Sequence, residues 1–217
     1  MNDKAEEYPE IIFSHATGYM GNDTNFNNYF GAIYQARYLA GIAAGLKTQT
    51  NKIGFVAAMQ TPEVIGGFDA FALGVQSVNP DAVVYVKYTN SWYDATLERQ
   101  TADALLDLGC DVIGQHCDTA NPQIAAQERG VWGCGYNADM TVDAPKAHLT
   151  APVWHWGAVY TKEAQEVLDL LAGIDFLLDD GNRLLQAQAR PIEELVCFLD
   201  IAARIELDAG ARDADGI

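Results

Sequence analysis

Basic residues are scarce in this chain, long apolar runs are missing, and the cysteines are few and scattered. Thirteen Lys and Arg stand against 30 Asp and Glu in 217 residues, a formal net charge of −17. Phosphate backbones and anionic lipid surfaces are held by clustered cations, so neither nucleic acid nor an anionic membrane is expected as a partner. No run of 18 apolar residues occurs, so no membrane span is encoded. The opening ten residues, Met1 to Glu10, are charged and carry no apolar core of a signal peptide. Taken alone, that indicates a cytoplasmic or a processed chain.

The four cysteines, Cys110, Cys117, Cys134 and Cys197, form no C-x-x-C pair. No zinc site is expected from that spacing. The first three sit in strand-like segments, where they read as small buried hydrophobes. Catalytic signatures are missing too: no G-x-S-x-G elbow, no G-x-x-x-x-G-K-[ST] loop, no G-x-G-x-x-G after a strand. Gly133-Cys134-Gly135 lies inside a strand, a poor place for a phosphate loop. His116 is near Asp118, but no nucleophile or metal set joins them. No catalytic residue, metal or cofactor is expected, and the chemistry points to binding.

What is present is an ordered alternation. Hydrophobic residues make up 49% of the chain, enough for a real core. Strands are expected over 11–15, 52–59, 82–89, 112–116, 131–136 and 148–155. Helices are expected over 29–46, 62–78, 94–108, 122–129 and 160–171, with Pro62 in a first turn and Gly109 and Gly130 past two ends. Such alternation is the mark of βαβ units and a parallel sheet. From Gly173 onward it stops, and 10 acids face 4 bases. An amphipathic helix is still expected over 191–207 and disorder over the last ten residues.

Ligands of parallel α/β sheets bind outside the carboxyl ends of the strands. The residues just past each strand include Glu63; Asn90, Trp92 and Asp94; His116 and Asp118; Asn137 and Asp139; and Trp154, His155 and Trp156. In Thr150-Ala-Pro-Val-Trp-His-Trp-Gly157, alternation puts Trp154 and Trp156 on one side and His155 on the other. Amides, carboxylates, imidazoles and indoles on one edge suit stacking and hydrogen bonding of an uncharged heterocycle. Each has a plainer reading. Asp94 and Asp118 are equally good helix N-caps, Asn137 and Asp139 can form a turn, and the tryptophans can fill a core. His148 reads as structural, and the Tyr29, Tyr34, Tyr38 stripe as core.

Several segments match one family in register. They are Ile53-Gly54-Phe55-Val56-Ala57-Ala58, Pro62-Glu63-Val64-Ile65, the run Phe71 to Ala82, Thr89-Asn90-Ser91-Trp92-Tyr93-Asp94, Asp111-Val112-Ile113-Gly114-Gln115-His116, Gly135-Tyr136-Asn137-Ala138-Asp139-Met140 and the run Ala144 to Trp154. Upstream, His15-Ala16-Thr17-Gly18-Tyr19 and Arg37-Tyr38-Leu39-Ala40-Gly41 match as well. Over about residues 8 to 171 the chain resembles the basic membrane protein family of ABC-transporter substrate-binding lipoproteins, relatives of purine nucleoside receptors. The resemblance implies a type I periplasmic-binding-protein fold, α/β, with two doubly wound parallel-sheet lobes around a cleft. It also implies an extracytoplasmic setting and a transporter permease as partner. The ligand implied is a purine nucleobase or nucleoside.

In nucleoside receptors of that family an acid near the 136–139 position and a lysine near the 150–154 position hold the sugar. Here Asn137 and Asp139 take the first place, and no lysine stands at the second, which shifts weight to a stacked base. The family's stacking residue falls near Gly67, so Trp92 and Trp156, or Trp154, are expected to sandwich the base. His116, Asp118, Asn137, Asp139 and Glu63 then line its polar edge. Relative to full members the chain starts after two or more βα units, so lobe 1 is expected to be incomplete. The division expected is partial lobe 1 over 1–51, lobe 2 over 52–147, a hinge crossing over 148–157, a helix returning to lobe 1 over 158–172 and an atypical acidic tail over 173–217. A stand-alone ligand sensor of the same fold is the alternative, and a purine ribosyl-processing enzyme a further one.

Overall fold

The computed structural model describes residues 1–179, in two compact units built on residues 1–32 and 33–170. The first unit holds a short helix, α1 (Asn2–Glu7), and two strands, β1 (Phe13–Ala16) and β2 (Phe26–Tyr29). The strands pair in parallel with Phe13 opposite Phe26. Their connection contains no helix, and asparagines organise it instead. The Asn22 side-chain oxygen accepts from the backbone N–H of Thr24, Asn25 and Phe26. The Asn25 amide donates to the carbonyls of Ala5 and Ile11 at 2.9 Å each.

The second unit is a doubly wound α/β lobe. Its elements are α2 (Ile33–Lys47), β3 (Lys52–Ala57), α3 (Pro62–Val78), β4 (Val83–Tyr88), α4 (Ala95–Asp107), β5 (Val112–His116), α5 (Asn121–Glu128), β6 (Trp132–Cys134), β7 (His148–Thr150) and, as far as Leu170, α6 (Trp156–Asp179). The five strands are all parallel in the order β4-β3-β5-β6-β7. Alternation along the central strands feeds two cores. Phe55 and Ala57 pack with Ala40, Ala44, Phe71 and Val75 of α2 and α3. Val56 and Ile113 pack with Ala102, Leu105, Ala125 and Ala126 of α4 and α5. Parallel strands buried on both faces read as continuous apolar runs, and β5 is buried throughout.

Sequence expectations meet the structure to the residue for α3 and β5. Thr61 caps α3, its hydroxyl accepting from Val64 N, and Pro62 fills the first helical position. Three differences have physical causes. Helix α2, assigned to lobe 1 by the 51/52 boundary, belongs to the second unit because glycines let it lie on α3. A Cβ on Gly41 would stand 2.0 Å from the Phe71 carbonyl oxygen, and one on Gly74 2.0 Å from that of Tyr38. The strand expected over 148–155 ends at Thr150, with one further bridge from Val153 to Asn137. Residues 148–153 therefore extend the sheet edge, and α6 opens at Trp156 and passes Leu171 to Asp179. Finally, α1 and β2 had no sequence signal. Cys110, Cys117 and Cys134 are buried thiols, as expected, while Cys197 and the helix expected over 191–207 lie outside the described residues.

Candidate functional site

The strand order fixes where a ligand can enter. From β3 the chain winds outward to β4, then crosses back to build β5, β6 and β7 on the other side. Such a reversal opens a crevice between the carboxyl ends of β3 and β5, the topological switch point. Glu63, in the first turn of α3 after β3, and His116, the last residue of β5, stand at it. Glu63 Oε1 lies 3.7 Å from His116 Nε2. That spacing meets the limit for an ion pair, but the imidazole carries no charge. Burial, with the Arg37 cation beside it, depresses its pKa to about 2. The contact is thus a carboxylate facing a neutral ring, beyond hydrogen-bond reach.

Rings and amides close around this pair. Tyr136 packs obliquely on His116 at 4.2 Å, and the Trp92 ring lies 6.1 Å from it. Trp92 is 42% exposed, so part of the indole is open to solvent. Its loop is anchored: Asp118 N donates to Trp92 O at 3.1 Å. Buried Glu98 ties the loops after β4 and β5 together, accepting from Asp94 N, Thr119 N and Thr119 Oγ1. Asn137, held at φ 73 by the β6–β7 turn, donates to Asp118 Oδ1 at 3.3 Å. Burial raises the Asp118 pKa against the lowering by that hydrogen bond.

The alternatives left open for individual residues resolve unevenly. Asp94 is a helix cap, accepting from Thr96 N and Leu97 N. Asp118 is not, because the N-cap of α5 is Ala120, with no side-chain cap. Asp139 turns inward on its own loop, accepting from Thr141 N and Oγ1, which lowers its pKa. Trp154 and Trp156 do share a side, but they stack on each other at 4.6 Å and 18°, and Tyr160 stacks on Trp156 at 6.4 Å. Trp156 therefore packs against two rings of this chain. Trp154, 9% exposed, hydrogen-bonds Tyr136.

Two members of the site escaped sequence reading. Tyr136 sits under His116, its phenol pushed up to about 12 by burial. Arg37, from the middle of α2, is 1% exposed. Its guanidinium lies 4.1 Å over the Tyr136 ring and donates from Nη1 to Gln115 O at 2.5 Å. Nε and Nη2 of Arg37 and both His116 nitrogens have no hydrogen-bond partner. Burial lowers the Arg37 pKa to about 10, so it is a cation at neutral pH. The signal available was a lone cation at i+4 from Ile33 and i−4 from Gly41, on the apolar stripe of a helix.

A family model described as "ABC transporter substrate-binding protein PnrA-like" matches residues 1–171. The chain belongs to this family, Bmp. A relative from Haloferax volcanii, TsgA13, named as a candidate ABC transporter glucose-binding protein, is 46% identical over 72% of this chain and 40% of its own length. A purine-binding protein of Brucella abortus is 40% identical over 76% of this chain and 47% of its own. The chain thus spans less than half the length of these curated relatives. Among solved structures, an ABC transporter solute-binding protein from Aeropyrum pernix K1 superposes with a TM-score of 0.67 at 23% identity, over 76% of this chain and 50% of the other. That likeness shows the fold of Bmp-family and other type I solute-binding proteins. Among the described residues no helix is long and apolar enough to cross a membrane, and no group of three or more His, Cys, Asp or Glu could hold a metal.

Proposed function

We propose that this chain provides one lobe of the ligand site of an ABC importer's substrate-binding protein, acting outside the cytoplasm and delivering to a transporter permease, and that the ligand is a purine base or nucleoside. The observation that carries the reading is the cluster at the β3/β5 switch point, where an open indole, a neutral imidazole, a carboxylate and an amide converge over buried polar groups. Trp92 supplies the stacking face. Glu63, Asp118 and Asn137 read the polar edge, with the buried His116 ring packed behind them, and Trp154 and Trp156 form a wall beside Tyr136. Asp139 contributes by fixing the turn that carries Asn137. The Brucella relative's name, purine-binding, agrees with a planar heterocycle.

A hexose is the second reading, favoured by the name of the Haloferax relative. The two separate in a titration of the 217-residue chain with adenine, adenosine or glucose, followed by two-dimensional NMR. The method registers even millimolar binding, worth about −4 kcal/mol. The purine reading expects the Trp92 indole and Asn137 side-chain signals to move with adenine and adenosine and to ignore glucose. Movement with glucose alone replaces it by the hexose reading. Silence with all three overturns a ligand site at this edge.

A further inference from the structure

The loops after β5 and β6 have committed their donors and kept their acceptors. The backbone N–H groups of Asp118, Thr119, Asn137 and Ala138 donate to Trp92 O, Glu98 Oε2, Pro152 O and Tyr136 O. The Asn137 side-chain amide donates to Asp118 Oδ1 at 3.3 Å. Asp118 and Asn137 are both exposed. Apart from the second N–H of the Asn137 amide, what this pair has left for a ligand is oxygen, at Asp118 Oδ2 and Asn137 Oδ1. Glu63 adds a second carboxylate, near enough for the Asp118 charge to act on it. The guanidinium of Arg37 and the imidazole of His116 are buried behind these oxygens, so neither donates to a ligand. The accessible rim is rich in acceptors and poor in donors.

We propose that this rim selects a planar heterocycle bearing an exocyclic amine over the same heterocycle bearing a carbonyl, and that Asp118, held by Asn137, sets the choice. The proposal rests on the ligand-site reading above. An amine brings two N–H donors and serves two of the rim oxygens at once. A carbonyl brings only lone pairs, so it dries the carboxylates without pairing them. A charged acceptor left without its donor weakens binding by about tenfold or more. Stacking on Trp92 does not sense the exchange, because every base offers a π face. Trp92 therefore supplies affinity, and the rim supplies identity. The hydrogen bond from Asn137 makes Asp118 addressable. In Asp118→Asn the Asn137 N–H still calls for an oxygen at Oδ1, so the new side-chain nitrogen stands where Oδ2 stood. One acceptor becomes a donor with the shape unchanged. Asp118 is exposed and caps no helix, so the fold does not depend on its charge.

The test is a pair of NMR titrations of the 217-residue protein, with adenine and with hypoxanthine, which carry an amine and a carbonyl at the same ring carbon. The unaltered protein should bind adenine about tenfold more tightly or better. In Asp118→Asn, adenine should weaken and hypoxanthine strengthen, so that the preference falls about tenfold or more, while the melting point stays close to that of the unaltered protein. A purely structural Asp118 would change both affinities together and leave their ratio alone. Equal affinities for the two bases in the unaltered protein overturn the proposal without any variant. A ratio that a folded Asp118→Asn protein leaves unchanged overturns the role of Asp118. Binding of neither base overturns the purine reading and this proposal with it, whereas binding of both without preference overturns this proposal alone.

Discussion

The two ends of the five-stranded sheet are built from similar residues and behave in opposite ways. At the amino end several polar side chains find partners inside the lobe. Asp111 accepts from Thr48 Oγ1, Gln49 N and Thr50 N. Lys52 Nζ donates to Leu108 O, Thr50 Oγ1 to Gly109 O, and Asn79 to Asn51. At the carboxyl end Arg37 and His116 keep buried nitrogens without partners, Glu63 faces a neutral ring, and Trp92 lies open. Leaving a buried donor or acceptor unmade costs about 1–3 kcal/mol. A lobe that leaves buried polar groups unpaired at one end gives up stability there, as proteins do at functional sites.

The comparison can be broken first where the two ends share a support. A Cβ at Gly74 would collide with the Tyr38 carbonyl, so Gly74→Ala must push α2 off α3 and move Arg37 with it. Overpacking of this kind costs about 3 kcal/mol, a melting point lower by about 6–12 °C at this size, with ligand binding lost as well. A neutral Gly74→Ala would show that the helices can part freely. Asp111→Ala comes next. It removes three accepted hydrogen bonds at the amino end and should cost about 2 kcal/mol, with ligand-induced NMR shifts at Trp92 unchanged. Loss of those shifts would mean the ends are coupled.

Trp92→Ala inverts that pattern. The indole is 42% exposed, so stability should stay within about 0.5 kcal/mol. Base stacking is worth about 1–3 kcal/mol by truncation, so purine affinity, measured by the same titration, should fall about tenfold or more. Unchanged affinity would move the stacking role away from Trp92.

What could be read from sequence follows the same division. The framework was legible because its physics is local. Thr61 and Pro62 start α3, Gly109 ends α4 at φ 90, and β5 is a short apolar run. Phe-Asn-Asn-Tyr of β2 and the charged α1 carry no periodic apolar face, so they left no signal. The loop residues past the strand ends were legible in position as well, since placing them needs only the strand boundaries. Arg37 was not, because the apolar spacing of Ile33, Ala36, Ala40 and Ala44 marks that face as core, and only the fold shows that His116 and Tyr136 come down on it. The Trp154–Trp156 stack was half legible. Alternation gave the shared side, but not that each ring covers the other.

Glu63→Gln makes the smallest and sharpest test of the contrast. Burial raises the Glu63 pKa above its ordinary value of 4.5, Arg37 opposes the rise, and the Asp118 charge reinforces it. A carboxyl whose pKa is raised on folding stabilises the fold fully below its unfolded pKa, and that contribution is lost as pH rises through the folded value. The ionised form of Glu63 is therefore a burden on stability. Glutamine has the same shape without the charge, so Glu63→Gln should melt higher than the unaltered protein at pH 7. The gain should be up to about 1 kcal/mol, or about 2–4 °C. It should vanish near pH 4, where Glu63 itself is protonated, and purine affinity at pH 7 should fall. Melting curves at the two pH values decide the matter. A Glu63→Gln protein that melts lower at pH 7 would mean that the carboxylate is stabilised from within the lobe, and that the carboxyl end is as closed on itself as the amino end.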